Sequence, residues 1–330
     1  MKLSREWLLL GGSLLVVAAV YNHYIGGHSA YLLEIIFVAA GAALALLSLR
    51  IQPDIKPELQ DGLLFKLLMR FMTKEQAVTI LPVLGFVLII GWSLWKIYVT
   101  GEANIRMEDI IVTLFGLSLV LYYYAPSQFT IQKDFVVLYL LFLTIVFAVI
   151  WKSYTLITGE SYVRVTAYSE YYFITSPVVF LVRLLGVHAD AELNLSGHGL
   201  SNMIDYEYQG RMLRLGIGSG CSGLYSAGLF FSAFLAFVLV RYAKVDHRIL
   251  AALGIGFVVT WFSNILRMVI TILVGSQYGH PALAFVHSYI GVLIFAMFIT
   301  IFWVIIVRWL DKAEEEHKEA PPSEAAAAAP

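Results

Sequence analysis

Cys221 is the one cysteine in a chain of 330 residues. A lone thiol makes no internal disulfide, which leaves it as a small apolar filler or as a nucleophile. It opens an apolar segment behind glycines, in Gly218-Ser219-Gly220-Cys221-Ser222-Gly223-Leu224. At a helix N-terminus, unsatisfied backbone N–H groups and the helix dipole lower a thiol's pKa, and the same N–H groups can hold an oxyanion. Arg267 lies inside the next apolar segment, within Asn264-Ile265-Leu266-Arg267, and His287 near the start of the last, within His287-Ser288-Tyr289-Ile290-Gly291. Burying an arginine in hydrocarbon costs at least a few kcal/mol. Such an arginine serves a function or a structural ion pair, and no acidic partner stands near it in sequence. Three chemically versatile side chains on three successive segments make a candidate active site.

The elements that carry them belong in a membrane. Hydrophobic residues make up 60% of the chain and charged ones 14%, with mean hydropathy +0.79; soluble domains are about 25% charged. The net charge of −1 gives no reason to expect a nucleic-acid partner. Spanning helices need about 20 apolar residues, and candidates run over 7–21, 30–49, 77–99, 109–125, 134–151, 221–241, 249–274 and 281–308. The first lacks a small-residue cleavage site and reads as an uncleaved span. The run 171–186 is short and contains Pro177 and Arg183. Basic residues cluster at Arg50 to Lys74, at Lys133, at Arg241 to Arg248 and at Arg308 and Lys312, which marks the cytoplasmic side. Counting from both termini agrees only if 171–186 does not cross, so it is read as an interfacial or re-entrant helix on the outer face.

The fold class is therefore an all-α polytopic membrane protein with about eight crossings. The segment 187–220 is its one sizeable polar stretch between spans. Alternation in Ala191 to Leu195 and in Met203 to Tyr208 predicts a small extracytoplasmic β-hairpin, with Ser196-Gly197-His198-Gly199 as its turn. Residues 59–73 read as an amphipathic helix, either on the cytoplasmic membrane surface or packed on the bundle. Residues 1–310 form one domain, divided into amino-terminal spans (1–152) and a core (153–310). The acidic, alanine-rich tail 311–330 reads as cytoplasmic and disordered or frayed helix.

With this topology Arg267 falls roughly 10 Å below the outer surface and His287 roughly 9 Å below it, at 1.5 Å per residue. Cys221 sits at or slightly above that level. Asn264, one turn before Arg267 on the same face, can orient the guanidinium or line the pocket. Ser222 and Gly223 stand beside the thiol as supporting positions. Trp261 and Ser226 read as packing, as does Ser222 in its plainest role. His188, Asp190 and His198 are too loosely spaced to predict a metal site, and no cofactor is called for.

In these residues the chain resembles the exosortase/archaeosortase family of membrane transpeptidases. The resemblance rests on Cys221-Ser222-Gly223, Asn264-Ile265-Leu266-Arg267, and His287 with Gly291, in order on consecutive spans, and covers roughly 170–308. One archaeal branch carries arginine where this chain has His287, and the chain departs from it there. The resemblance implies exported proteins with a carboxy-terminal motif, hydrophobic helix and basic end as substrates, and a membrane lipid as one candidate acceptor. It implies Cys221 as nucleophile, His287 as acid–base and Arg267 as stabiliser of the oxyanion or thiolate, facing the extracytoplasmic side of an archaeal or bacterial membrane. Other readings are a transporter or channel with Arg267 and His287 in an ion site, or a lipid acyltransferase using Cys221. A transporter predicts internal repeats, and the sequence contains none.

Overall fold

A computed structural model describes residues 8, 11–12, 15–16, 31–48, 62–96, 106–123, 129–158, 162–193, 202–217, 223–242 and 245–319. Helices α1 (Tyr31–Ser48), α2 (Leu63–Leu68), α3 (Lys74–Trp95), α4 (Met107–Leu121), α5 (Thr130–Leu143) and α6 (Trp151–Thr158) precede α7 (Tyr162–Glu170) and α8 (Ser176–Leu184). Strands β1 (Ala189–Leu193), β2 (Asn202–Tyr208) and β3 (Arg211–Ile217) follow. Then come α9 (Leu224–Arg241), α10 (His247–Tyr278), α11 (His280–Phe285) and α12 (Gly291–Glu319). Three π-helical segments, Thr144–Ile150, Tyr171–Thr175 and Val286–Ile290, join α5 to α6, α7 to α8 and α11 to α12.

Five helical stretches among the described residues are long and apolar enough to cross a membrane: Lys74–Trp95, Thr130–Ile150, Leu224–Arg241, His247–Tyr278 and His280–Lys312. They match five of the eight expected segments. The segment at 109–125 forms the 15-residue α4, and that at 30–49 forms α1, whose apolar stretch is Ile35–Leu44. Most of 7–21 lies outside the described residues.

The chain divides into two compact units, residues 1–152 with 235–243, and residues 153–234 with 244–330. In the first unit, Thr73 starts α3 with a capping box, its hydroxyl accepting from Gln76 N and its own N–H donating to Gln76 Oε1. The expected amphipathic segment is the six-residue α2. Phe65 is buried against Ala77 and Val78, while Leu67 and Phe71 are exposed. The Asp134 carboxylate accepts from Leu63 N and from the Tyr122 hydroxyl, tying the start of α2 to α4 and α5.

The second unit carries the candidate site. Its polar segment is a three-stranded antiparallel sheet in the order β1-β2-β3. The expected hairpin is its β1–β2 half, with β1 beginning two residues earlier and the turn at 196–199 outside the described residues. The third strand is an addition to the sequence reading. It pairs with β2 from Asn202↔Ile217 to Tyr208↔Arg211. Gln209 and Gly210 connect them at φ +49° and +73°, the left-handed pair that a two-residue hairpin turn needs. One face of the sheet, Ala189, Ile204, Tyr206 and Ile217, is buried against Val178, Val179 and Val182 of α8 and Ile265, Met268, Val269 and Ile272 of α10. On the other face Arg214 bridges Asp205 and Glu192. The like charges of Asp190 and Asp205 face each other across β1 and β2, and each has its own arginine, Arg183 for Asp190 and Arg214 for Asp205.

The run 171–186 is not broken at Pro177. Helix continues from Tyr162 to Leu184 through the π segment, with Pro177 in the first turn of α8. Proline cannot donate to the carbonyl four residues before it, here that of Phe173, and Trp261 Nε1–H donates to that oxygen at 2.8 Å. Trp261 is thus a tether between α10 and this helix as well as a packing residue.

Candidate active site

Helix α10 presents two stripes. Ile265, Met268, Val269 and Ile272 face the sheet. Thr260, Asn264, Arg267 and Thr271 recur at helical spacing on an adjacent face. That face is polar in a helix otherwise fit for hydrocarbon, and three of its four members are buried: Thr260, Asn264 and Thr271.

Gly223 and Gly291 set two close approaches to this stripe. Gly223 has φ +80°, and its carbonyl accepts the first helical bond of α9 from Ala227 N at 2.8 Å. A methyl group on it would come within 2.7 Å of Asn264 Nδ2. Only glycine meets both demands without strain. Helix α9 therefore begins at Leu224, three residues later than the expected span, and Cys221 and Ser222 lie outside the described residues. On the other side, a methyl group at Gly291 would come within 2.7 Å of Arg267 Cδ and 2.9 Å of Cγ. The arginine stem thus lies directly on the α12 backbone.

His287 sits in the π segment that ends at Gly291, a form of helix frequent at functional sites. Its Nδ1 and the Arg267 Nε are both buried atoms. Arg267 lies against the backbone at Gly291, one helical turn after His287, and Asn264 is one turn from Arg267 toward Gly223. Asp190 pairs with Arg183, and His198 lies outside the described residues.

Beside Gly223 opens a cavity of about 420 Å³, lined in part by Glu170, Phe173, Gly223, Thr260, Trp261 and Asn264. All its lining residues belong to the second unit. Glu170 is 5% exposed, and neither carboxylate oxygen has a hydrogen-bond partner among the described residues. Thr260 Oγ1 is likewise buried without one. The sequence reading singled out neither residue. The signal available for Thr260 was its place one turn before Asn264. Helix α7 is held in position by Asn202, whose Nδ2 donates to Ala167 O at 3.1 Å.

The family model of transmembrane exosortases matches residues 73–304, which takes in every candidate residue above. The chain belongs to this family. With its apolar helices, this makes it a multi-pass membrane protein. No curated protein and no solved structure matches it.

Proposed function

We propose that the chain is a membrane-embedded cysteine transpeptidase. It cleaves the carboxy-terminal sorting signal of exported proteins through a thioester on Cys221 and passes the new carboxyl to an acceptor. The observation that carries this reading is the convergence of Gly223, Asn264, Arg267, His287 and Gly291 in one compact unit inside the region matched by the exosortase family. A nucleophile two residues from Gly223 has its Cα no more than about 7 Å from that of Gly223.

In this mechanism His287 takes the Cys221 proton and the thiolate attacks the scissile carbonyl carbon. Arg267 holds the developing oxyanion, where a water-poor setting strengthens the interaction. The C–N bond breaks as His287 returns its proton to the leaving amine, and the released tail departs with its hydrophobic helix. An acceptor then attacks the thioester carbonyl, the C–S bond breaks, and the thiol is restored. Asn264 lies between the Gly223 backbone and Arg267 and supports the positions of both. The site faces the extracytoplasmic side, with Ser222 beside the nucleophile.

The deciding experiment co-expresses the chain with an exported protein carrying a motif, apolar helix and basic tail, and follows loss of the tail by immunoblotting. Cys221→Ala inserts at parental levels and leaves the tail in place. Substantial processing by that variant removes the thiol from the mechanism.

A further inference from the structure

Removing a carboxylate from water and leaving it unpaired is among the costliest arrangements a fold can keep. Glu170 is held in that state, at the wall of the cavity that Gly223 also lines. Its oxygens and the Thr260 hydroxyl are buried without hydrogen-bond partners among the described residues. The remaining lining is largely apolar and aromatic, with Phe173, Phe257 and Trp261 around the opening. A carboxylate, a hydroxyl and aromatic faces are together complementary to one kind of group: a primary ammonium. It has three N–H donors for Glu170 Oε1, Glu170 Oε2 and Thr260 Oγ1, and a charge that ring faces attract.

We propose that this cavity, which Gly223 also lines, binds the primary ammonium of the acceptor. The inference rests on the transpeptidase reading for its place in the reaction, but binding can be measured without turnover. In the transfer step the bound R–NH3+ gives one proton to the Glu170 carboxylate and becomes R–NH2. Its lone pair attacks the thioester carbonyl, the C–N bond forms and the C–S bond breaks. The second nitrogen proton goes to the departing sulfur by way of His287. Glu170 then loses its proton to solvent, so the balance is thioester plus ammonium giving amide, thiol and H+.

The test is native mass spectrometry of the full-length protein in detergent, offered phosphatidylethanolamine, phosphatidylcholine or hexylamine in turn. Expected is retention of phosphatidylethanolamine at least tenfold above phosphatidylcholine, whose trimethylammonium donates no hydrogen bond. Displacement of the lipid by hexylamine identifies a free-amine source, and resistance to it identifies the lipid head group. Either result supports an ammonium site. Glu170→Gln loses the preference while its melting temperature stays level or rises, because a buried carboxyl without a partner among the described residues has gone. A structural carboxylate would instead show a fall in melting temperature. Ala227→Leu fills the cavity from the wall formed by α9 and abolishes retention without altering Glu170. Equal retention of both lipids by the parent, or undiminished retention by both variants, overturns the proposal. Cys221→Ala retains the amine normally, so a failed peptidase reading and a failed ammonium site give different results.

Discussion

The guanidinium of Arg267 is positioned by an absence, the missing side chain of Gly291. Gly291→Ala would drive a methyl group into Arg267 Cδ and shift the fork while preserving its charge. Arg267→Lys keeps the charge and removes the fork. Both variants are expected to insert normally and to process tails at least about tenfold slower, a loss of about 1.4 kcal/mol of transition-state stabilisation. Parental rates in Arg267→Lys, measured by the same immunoblot, would reduce the residue to a generic positive charge. Arg267 and His287 stand out in the sequence as candidates because an ionisable group inside an apolar run is conspicuous at any register. Glu170 does not, because Tyr168-Ser169-Glu170-Tyr171 reads as the polar edge of a short helix. It shares a cavity wall with Thr260 and Asn264 of α10, about 90 residues on in the chain, and a local pattern carries no trace of so distant a neighbour.

At the scale of elements, the sheet gives a pH dependence with a definite sign. The hydrogen bonds from Arg214 hold the Asp205 carboxyl below its ordinary value, followed by a desolvation effect that opposes them. A depressed folded-state pKa contributes stability that is present above the unfolded value, about 3.9. That contribution is lost as pH falls through the folded one. Amide exchange across β2 and β3, corrected for intrinsic rates, is therefore expected to quicken relative to the helices once the pH drops below about 4. Arg214→Met would remove most of this extra sensitivity; an unchanged profile would assign it to other carboxylates. The third strand escaped the sequence reading because Arg211-Met212-Leu213-Arg214-Leu215-Gly216-Ile217 alternates weakly, and Gln209-Gly210 is not among the strongest hairpin signals. Proline inside an apolar run signals an interruption, but at Pro177 the helix continues, because Trp261 supplies the Phe173 carbonyl with the donor that proline lacks.

For the whole molecule, the orientation proposed above, with Cys221 on the outer face, rests on the basic clusters of the sequence. A membrane-impermeant thiol reagent added to intact cells is expected to label it, once a smaller reagent has shown that the pocket is open. Labelling that requires breaching the cytoplasmic side would reverse the topology and the secretory substrate class with it. Long spans were readable from composition alone, since about 20 apolar residues admit few other fates. The division of the chain into two compact units has no signature in local pattern, because compactness is a property of contacts.

The π segment Val286–Ile290 has an evolutionary consequence. Such a segment holds one residue more than the α-helix it interrupts. A single codon deletion there would restore a regular helix and leave α12 in phase with its neighbours, whereas the same deletion further along would rotate everything downstream by about 100°. The turn that carries His287 would be rewound while the helix after it kept its register. On the role proposed above for His287, a relative one residue shorter at this point would still insert and fold but would not turn over.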